Sequence, residues 1–117
     1  MSKNNKRKGE HGEQIAKQYL AGKGYSIITA NYRCPYGEID IIAKSESCIC
    51  FVEVKYRKSL KFGMPREAVT KTKQAKIKET AMHYIFENEI TDTDFRFDVI
   101  EIIDDINIEI THIQNGF

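Results

Sequence analysis

The apolar positions of this chain follow two spacings, and the changes between them mark out the elements. From Gly9 to Leu20, the residues Gly12, Ile15, Ala16 and Tyr19 recur three or four apart, which predicts an amphipathic helix. Gly22 and Gly24 end it, because glycine takes the left-handed backbone of a helix terminus at little steric cost. The pattern then becomes that of strands. Tyr25–Arg33, Gly37–Lys44 and Cys48–Arg57 are rich in β-branched and aromatic residues, and Cys34-Pro35-Tyr36 and Ser45-Glu46-Ser47 separate them as two hairpin turns. Beyond a loop around Phe62-Gly63-Met64-Pro65, Thr70 is placed to cap a helix from Lys71 to about Glu87, with Gln74, Ala81 and Ile85 on its centre line. Two last strands, Arg96–Ile103 and Ile106–Gln114, meet at Asp104-Asp105.

The predicted order is αβββαββ, an α+β fold with a central mixed sheet flanked by helices. At 117 residues, 41% hydrophobic and 30% charged, the chain can bury one core. Met1–Lys8 is expected to be a basic, flexible N-terminus, and 9–117 one domain. The apolar runs are strand-sized and too short to cross a bilayer, and the basic start lacks the hydrophobic segment of a secretory signal. A cytoplasmic address and no membrane partner are the expectation. Cys34, Cys48 and Cys50 are odd in number and lack zinc-site spacing, so they are expected as reduced packing residues. His11, His83 and His112 show no metal spacing either.

A net charge of +1 conceals a division along the chain. Lys55, Arg57, Lys58, Lys61, Arg66, Lys71, Lys73, Lys76 and Lys78 face Glu67 alone in their segment, whereas from Glu87 onward acids dominate and Arg96 is the one opposing charge. A block of positive charge favours a polyanion such as nucleic acid, although two solvated faces would give the same pattern. Arg57, Lys58, Lys61, Arg66, Lys71, Lys73, Gln74 and Lys78 are the candidate nucleic-acid contacts. Lys71 and Lys73 oppose the dipole of the helix they begin, which is easier to understand if an anion docks there. Gln74 and Lys78, on the stripe of Ala81 and Ile85, would turn polar groups toward the sheet.

Strand alternation places Glu38, Asp40 and Ile42 on one face of the second strand, and Ile49, Phe51, Glu53 and Lys55 on one face of the third. A turn centred between Ser45 and Glu46 sets Asp40 opposite Phe51 and Glu38 opposite Glu53, all on the same side. Like charges on facing strands destabilise one another, and a divalent cation is a natural compensation. Magnesium, or manganese, prefers carboxylate oxygens: Asp40 and Glu53 fit as ligands, the Val54 carbonyl can add a third oxygen, and Lys55 can orient water or stabilise phosphate charge. A cross-strand salt bridge would equally bring Asp40, Glu53 and Lys55 together. Against it, Ile39-Asp40-Ile41-Ile42 and Phe51-Val52-Glu53-Val54 read as central strands, where unpaired acids are costly.

Gly12-Glu13, Asn31-Tyr32-Arg33, Gly37-Glu38-Ile39-Asp40-Ile41-Ile42-Ala43 and Phe51-Val52-Glu53-Val54-Lys55-Tyr56-Arg57 together resemble the small bacterial YraN-like proteins over nearly the whole chain. That family is similar in pattern to Holliday-junction resolvases and other nucleases of the restriction-endonuclease-like PD-(D/E)XK superfamily. The resemblance implies that Asp40 takes the place of the superfamily aspartate, that Glu53 and Lys55 form its acid-x-lysine pair, and that Glu13 matches an acid from the first helix, as a catalytic residue and further metal ligand. Ile39 stands where the superfamily motif has proline. Read without the family, Glu13 lies at the margin of the apolar face, and an ion pair with Lys17 four residues on would account for it as well.

The function expected is metal-dependent endonucleolytic hydrolysis of DNA, branched or structured DNA in particular, with a homodimer implied only by the resolvase analogy. A catalytically silent nucleic-acid-binding module of a repair or recombination assembly is the alternative, since fold does not guarantee chemistry. An interaction adaptor working through its acidic tail is a third.

Overall fold

The computed structural model describes residues 3–58 and 69–117, with side chains from residue 9 onward. Its elements are α1 (Lys3–Gly22), β1 (Ser26–Cys34), β2 (Gly37–Ser45), β3 (Cys48–Arg57), α2 (Lys71–Glu87), β4 (Asp94–Asp104) and β5 (Ile108–Ile113). The fold is α+β in the predicted order. One five-stranded sheet runs β1-β2-β3-β4-β5, antiparallel throughout except for the parallel pair β3–β4. A parallel pair needs a crossover, and the connection containing α2 supplies it. This arrangement loosely matches the restriction-endonuclease-like class.

The helices cover opposite faces. Ala16 and Leu20 of α1 pack on Ile41, Ala43, Cys50, Val52, Ile100 and Ile102, whereas Ile77, Ala81 and Tyr84 of α2 pack on Ile39, Ile42, Ile49 and Phe51. Covered on both sides, β2 and β3 show the near-continuous apolar runs seen in the sequence. Burying each Ile or Phe is worth about 2 kcal/mol, so these layers fix the sheet against both helices.

Several boundaries differ from expectation. α1 begins at Lys3, six residues before the predicted start. β4 starts at Asp94, and β5 only at Ile108, because the backbone N–H of Asp105 bonds to the Asn107 carbonyl and closes a turn there. The β2–β3 turn is centred on Glu46-Ser47, with Ser45 paired to Cys48 and Glu46 at φ 54°. The register is therefore two residues from the expected one, with Phe51 opposite Ile42 and not Asp40. A shift of two keeps the paired side chains on their faces as far as Ile41↔Val52, where the β2–β3 ladder ends just before Asp40 and Glu53. In α2 the buried stripe is Ile77, Thr80, Ala81 and Tyr84, while Lys78 is exposed. Thr80 hides in the core because its hydroxyl donates to the Lys76 carbonyl at 2.7 Å. Thr70 caps α2 as predicted, accepting from the Lys73 N–H at 3.2 Å. The loop around Phe62–Pro65, with Lys61 and Arg66, lies outside the described residues.

Candidate active site

The site forms where β2 and β3 part. Their pairing runs from Ser45↔Cys48 to Ile41↔Val52, and the next positions along the two strands are Asp40 and Glu53. Ile39 packs on the α2 side of the sheet and Ile41 on the α1 side, so strand alternation breaks at Asp40. Across from it in β1, Asn31 has φ 54°, a left-handed conformation that asparagine tolerates better than most residues. Asp40 Oδ2 accepts the Val54 N–H at 2.8 Å, a backbone donor taken up by a side chain in place of a ladder partner.

The acids expected to meet do so in part. Glu53 is buried at 5% exposure, and its Oε1 lies 2.7 Å from Lys73 Nζ and 3.3 Å from Lys55 Nζ. Glu38 points elsewhere, bridging to Arg33 at 2.9 Å on the exposed edge, so the expected third carboxylate is not at the site. Glu13 is: its Oε2 accepts the Asn31 side-chain amide at 3.0 Å, and its charge is felt at Asp40. Gly12 lets α1 come this close, since a Cβ there would sit 2.8 Å from the Tyr56 Cβ.

The electrostatics follow from this crowding. Burial first, and then the Glu53 charge, push the Asp40 carboxyl from 3.8 up to about 7, with the Val54 N–H bond acting in the opposite direction. Burial, and after it the neighbouring Lys73, hold Lys55 below the ordinary lysine value. Lys73 is raised: burial alone would lower it, but its bond to Glu53 outweighs that. One lysine of the pair is thus held charged while the other is eased toward losing its proton.

Lys73, a candidate nucleic-acid contact by sequence, instead bonds Glu53 and feels the charge of Asp40. Lys71, in the same exposed first turn, and Arg57 and Lys58, at the end of β3, lie on elements that reach the site. Lys78 leans the other way, its Nζ 5.8 Å from the centre of the Phe97 ring. Gln74 donates to the Val69 carbonyl at 3.3 Å and lines a cavity of about 340 Å³ with Val99, Ile113 and Gly116. Glu101, missed in the sequence, pairs with Lys55 in the parallel ladder and is 2% exposed, so a further buried acid shares that face. Only the β3–β4 register reveals it.

Among the described residues, no group of three or more Asp, Glu, His or Cys side chains is placed to hold a metal ion. Magnesium and manganese need fewer protein ligands: one or two carboxylates serve, with waters and substrate phosphates completing the shell. Asp40 and Glu53 supply that number. In a strand a residue's N–H and C=O point to the same neighbour, so the Val54 carbonyl opens toward Asp40 as its N–H does. The Asp40 carboxyl is raised by burial first and by the Glu53 charge second, and a cation between the two acids would oppose both. The donor set therefore fits such an ion.

A family model described as the uncharacterised protein family UPF0102 matches residues 12–102, which contain the whole site. The chain belongs to UPF0102. A UPF0102 protein of Clostridioides difficile (strain 630) is 50% identical over 114 residues, covering 97% of this chain and 99% of the relative. Another from Alkaliphilus metalliredigens (strain QYMF) is 50% identical over 109 residues, 93% and 96% of the two chains. One from Clostridium acetobutylicum is 44% identical over 120 residues, 100% and 98%. The UPF0102 assignment agrees with the YraN-like resemblance. No helix among the described residues is long and apolar enough to cross a membrane.

Proposed function

We propose that this UPF0102 chain is a metal-dependent endonuclease that hydrolyses phosphodiester bonds in DNA, with branched or structured DNA as the substrate class the resemblance implies. The observation that carries the reading is the buried Glu53 carboxylate held between two lysines, beside an Asp40 whose carboxyl is raised to about 7. Strongly perturbed acids and bases gathered at one break in a sheet are typical of sites that move protons.

Asp40, Glu53 and the Val54 carbonyl would hold magnesium or manganese, which when bound supplies charge stabilisation at the phosphate and lowers the pKa of a bound water. The protein's own groups divide the remaining work. The Val54 N–H fixes the Asp40 rotamer, and Asn31 fixes Glu13 at the rim. Lys55, eased below its usual value, takes a proton from water or donates to a phosphate oxygen. Lys71 and Lys73 at the start of α2 offer charge to the phosphodiester backbone, with Arg57 and Lys58 at the end of β3. Purified protein incubated with junction, flap and duplex DNA should nick at least one of them with magnesium, and Asp40→Ala or Glu53→Ala should remove this activity. Cleavage that persists in both variants would overturn the proposal.

One observation favours the silent-module reading. Lys73 satisfies Glu53 from within the chain, so the acid pair has a counter-charge without an ion. A silent module would bind DNA with a steep salt dependence and give no heat on titration with magnesium.

A further inference from the structure

The outward face of α2 carries an apolar stripe with no described residue over it. Phe86 is 85% exposed and Met82 53%, one turn apart, and with Tyr36, Lys78, Glu79 and His83 they line an open groove of about 500 Å³. Single exposed apolar residues are ordinary on a protein surface, whereas adjacent ones in a groove mark an interaction site. The charges along the same helix are sorted: Lys71, Lys76 and Lys78 in its first half, Glu79, Glu87 and Glu89 in the second half and just beyond. Such a helix complements itself when two copies lie antiparallel, since each basic end meets an acidic one.

We infer that this face binds a second copy of the chain, two α2 helices packing antiparallel about a two-fold axis near His83. An isologous contact of this kind needs a surface that is self-complementary, which the sorted charges provide. Met82 then meets Phe86 of the second copy, and the reverse, giving two sulfur–aromatic contacts. Lys78 reaches Glu89 of the second copy on the same flank. Neither the stripe nor the charge order depends on the nuclease reading. If that reading holds, the pairing sets the two Lys73 positions about 30 Å apart along the helix axes, two cutting centres on one particle.

Sedimentation equilibrium of the full chain tests this. An interface built on one helix pair falls at the small end of the size range, so dimer is expected at roughly 100 μM. Phe86→Glu should weaken self-association about tenfold or more, and since the side chain is exposed, the variant should fold as wild type by circular dichroism. Lys78→Glu should weaken it several-fold, and Lys78→Glu combined with Glu89→Lys should restore it. A monomeric wild type at that concentration, a Phe86→Glu dimer of unchanged strength, or a double variant no better than Lys78→Glu would each overturn the inference.

Discussion

Asp40→Asn should make the protein more stable at pH 8, and the gain should vanish in acid. A carboxyl raised from 3.8 to about 7 by burial and by the Glu53 charge costs the folded state about 4 kcal/mol at pH values above both. Below pH 3.8 the group is protonated in folded and unfolded chains alike and costs nothing. Between 3.8 and about 7 the folded chain keeps a proton the unfolded chain has released, so stability falls as pH rises, and above 7 the whole cost stands. Asparagine preserves the size of the side chain and offers an amide oxygen to the Val54 N–H, but carries no charge. Part of the cost is shared with Glu53, and a buried amide has a desolvation penalty of its own, so a gain of about 2 kcal/mol at pH 8 is expected. Urea unfolding of both proteins at pH 8 and pH 4 measures it. Equal stabilities at pH 8, or a difference that does not shrink on acidification, would refute the reasoning. A stabilising loss of a site residue is what a position kept for chemistry predicts.

Other outcomes follow from the same contacts. Gly12→Ala should lose about 1–3 kcal/mol in thermal denaturation, because the new Cβ would lie 2.8 Å from the Tyr56 Cβ, whereas Gly9→Ala, with nothing within 4 Å, should not. Asp98 is fully buried, and although burial acts to raise its carboxyl, bonds from His112, the Asn115 N–H and Arg96 hold it below the ordinary value. Its contribution is present above pH 3.8 and lost as pH falls through that depressed value, and Asp98→Asn should cost about 3 kcal/mol at pH 7 by leaving Arg96 half-paired in the interior. Lys73→Met should bind manganese more tightly than wild type in the absence of DNA, by calorimetry, since the nearer of the two ammoniums on Glu53 Oε1 is then gone and Lys55 stays at the longer 3.3 Å; weaker binding would contradict this.

The elements and the opposed acids were legible because both depend on local pattern. Alternation put Glu53 and Lys55 on one face and Asp40 beside them even though the turn was misplaced, for a two-residue slip leaves the faces unchanged. It also put Glu38 there, because nothing in the pattern of β2 signals the break at Asp40. What could not be read depends on distant packing. The rotation of α2 was obscured by Thr80 and Tyr84, residues that look polar in sequence but are buried, and this hid the outward stripe of Met82 and Phe86. Lys73 looked like one of several helix-start cations until the crossover brought α2 over Glu53. Asn31 carried a signal in principle, as an asparagine inside a β-rich run, a residue suited to the left-handed backbone it adopts. Glu101 carried none without the parallel register.

On the proposed function, Asp40 and Glu53 share a divalent cation. Crystals soaked in manganese and measured at its absorption edge should show an anomalous peak within about 2.3 Å of both carboxylates and the Val54 carbonyl, with Lys73 withdrawn from Glu53. Lys73 still on Glu53, with no peak between the two acids, would contradict the account.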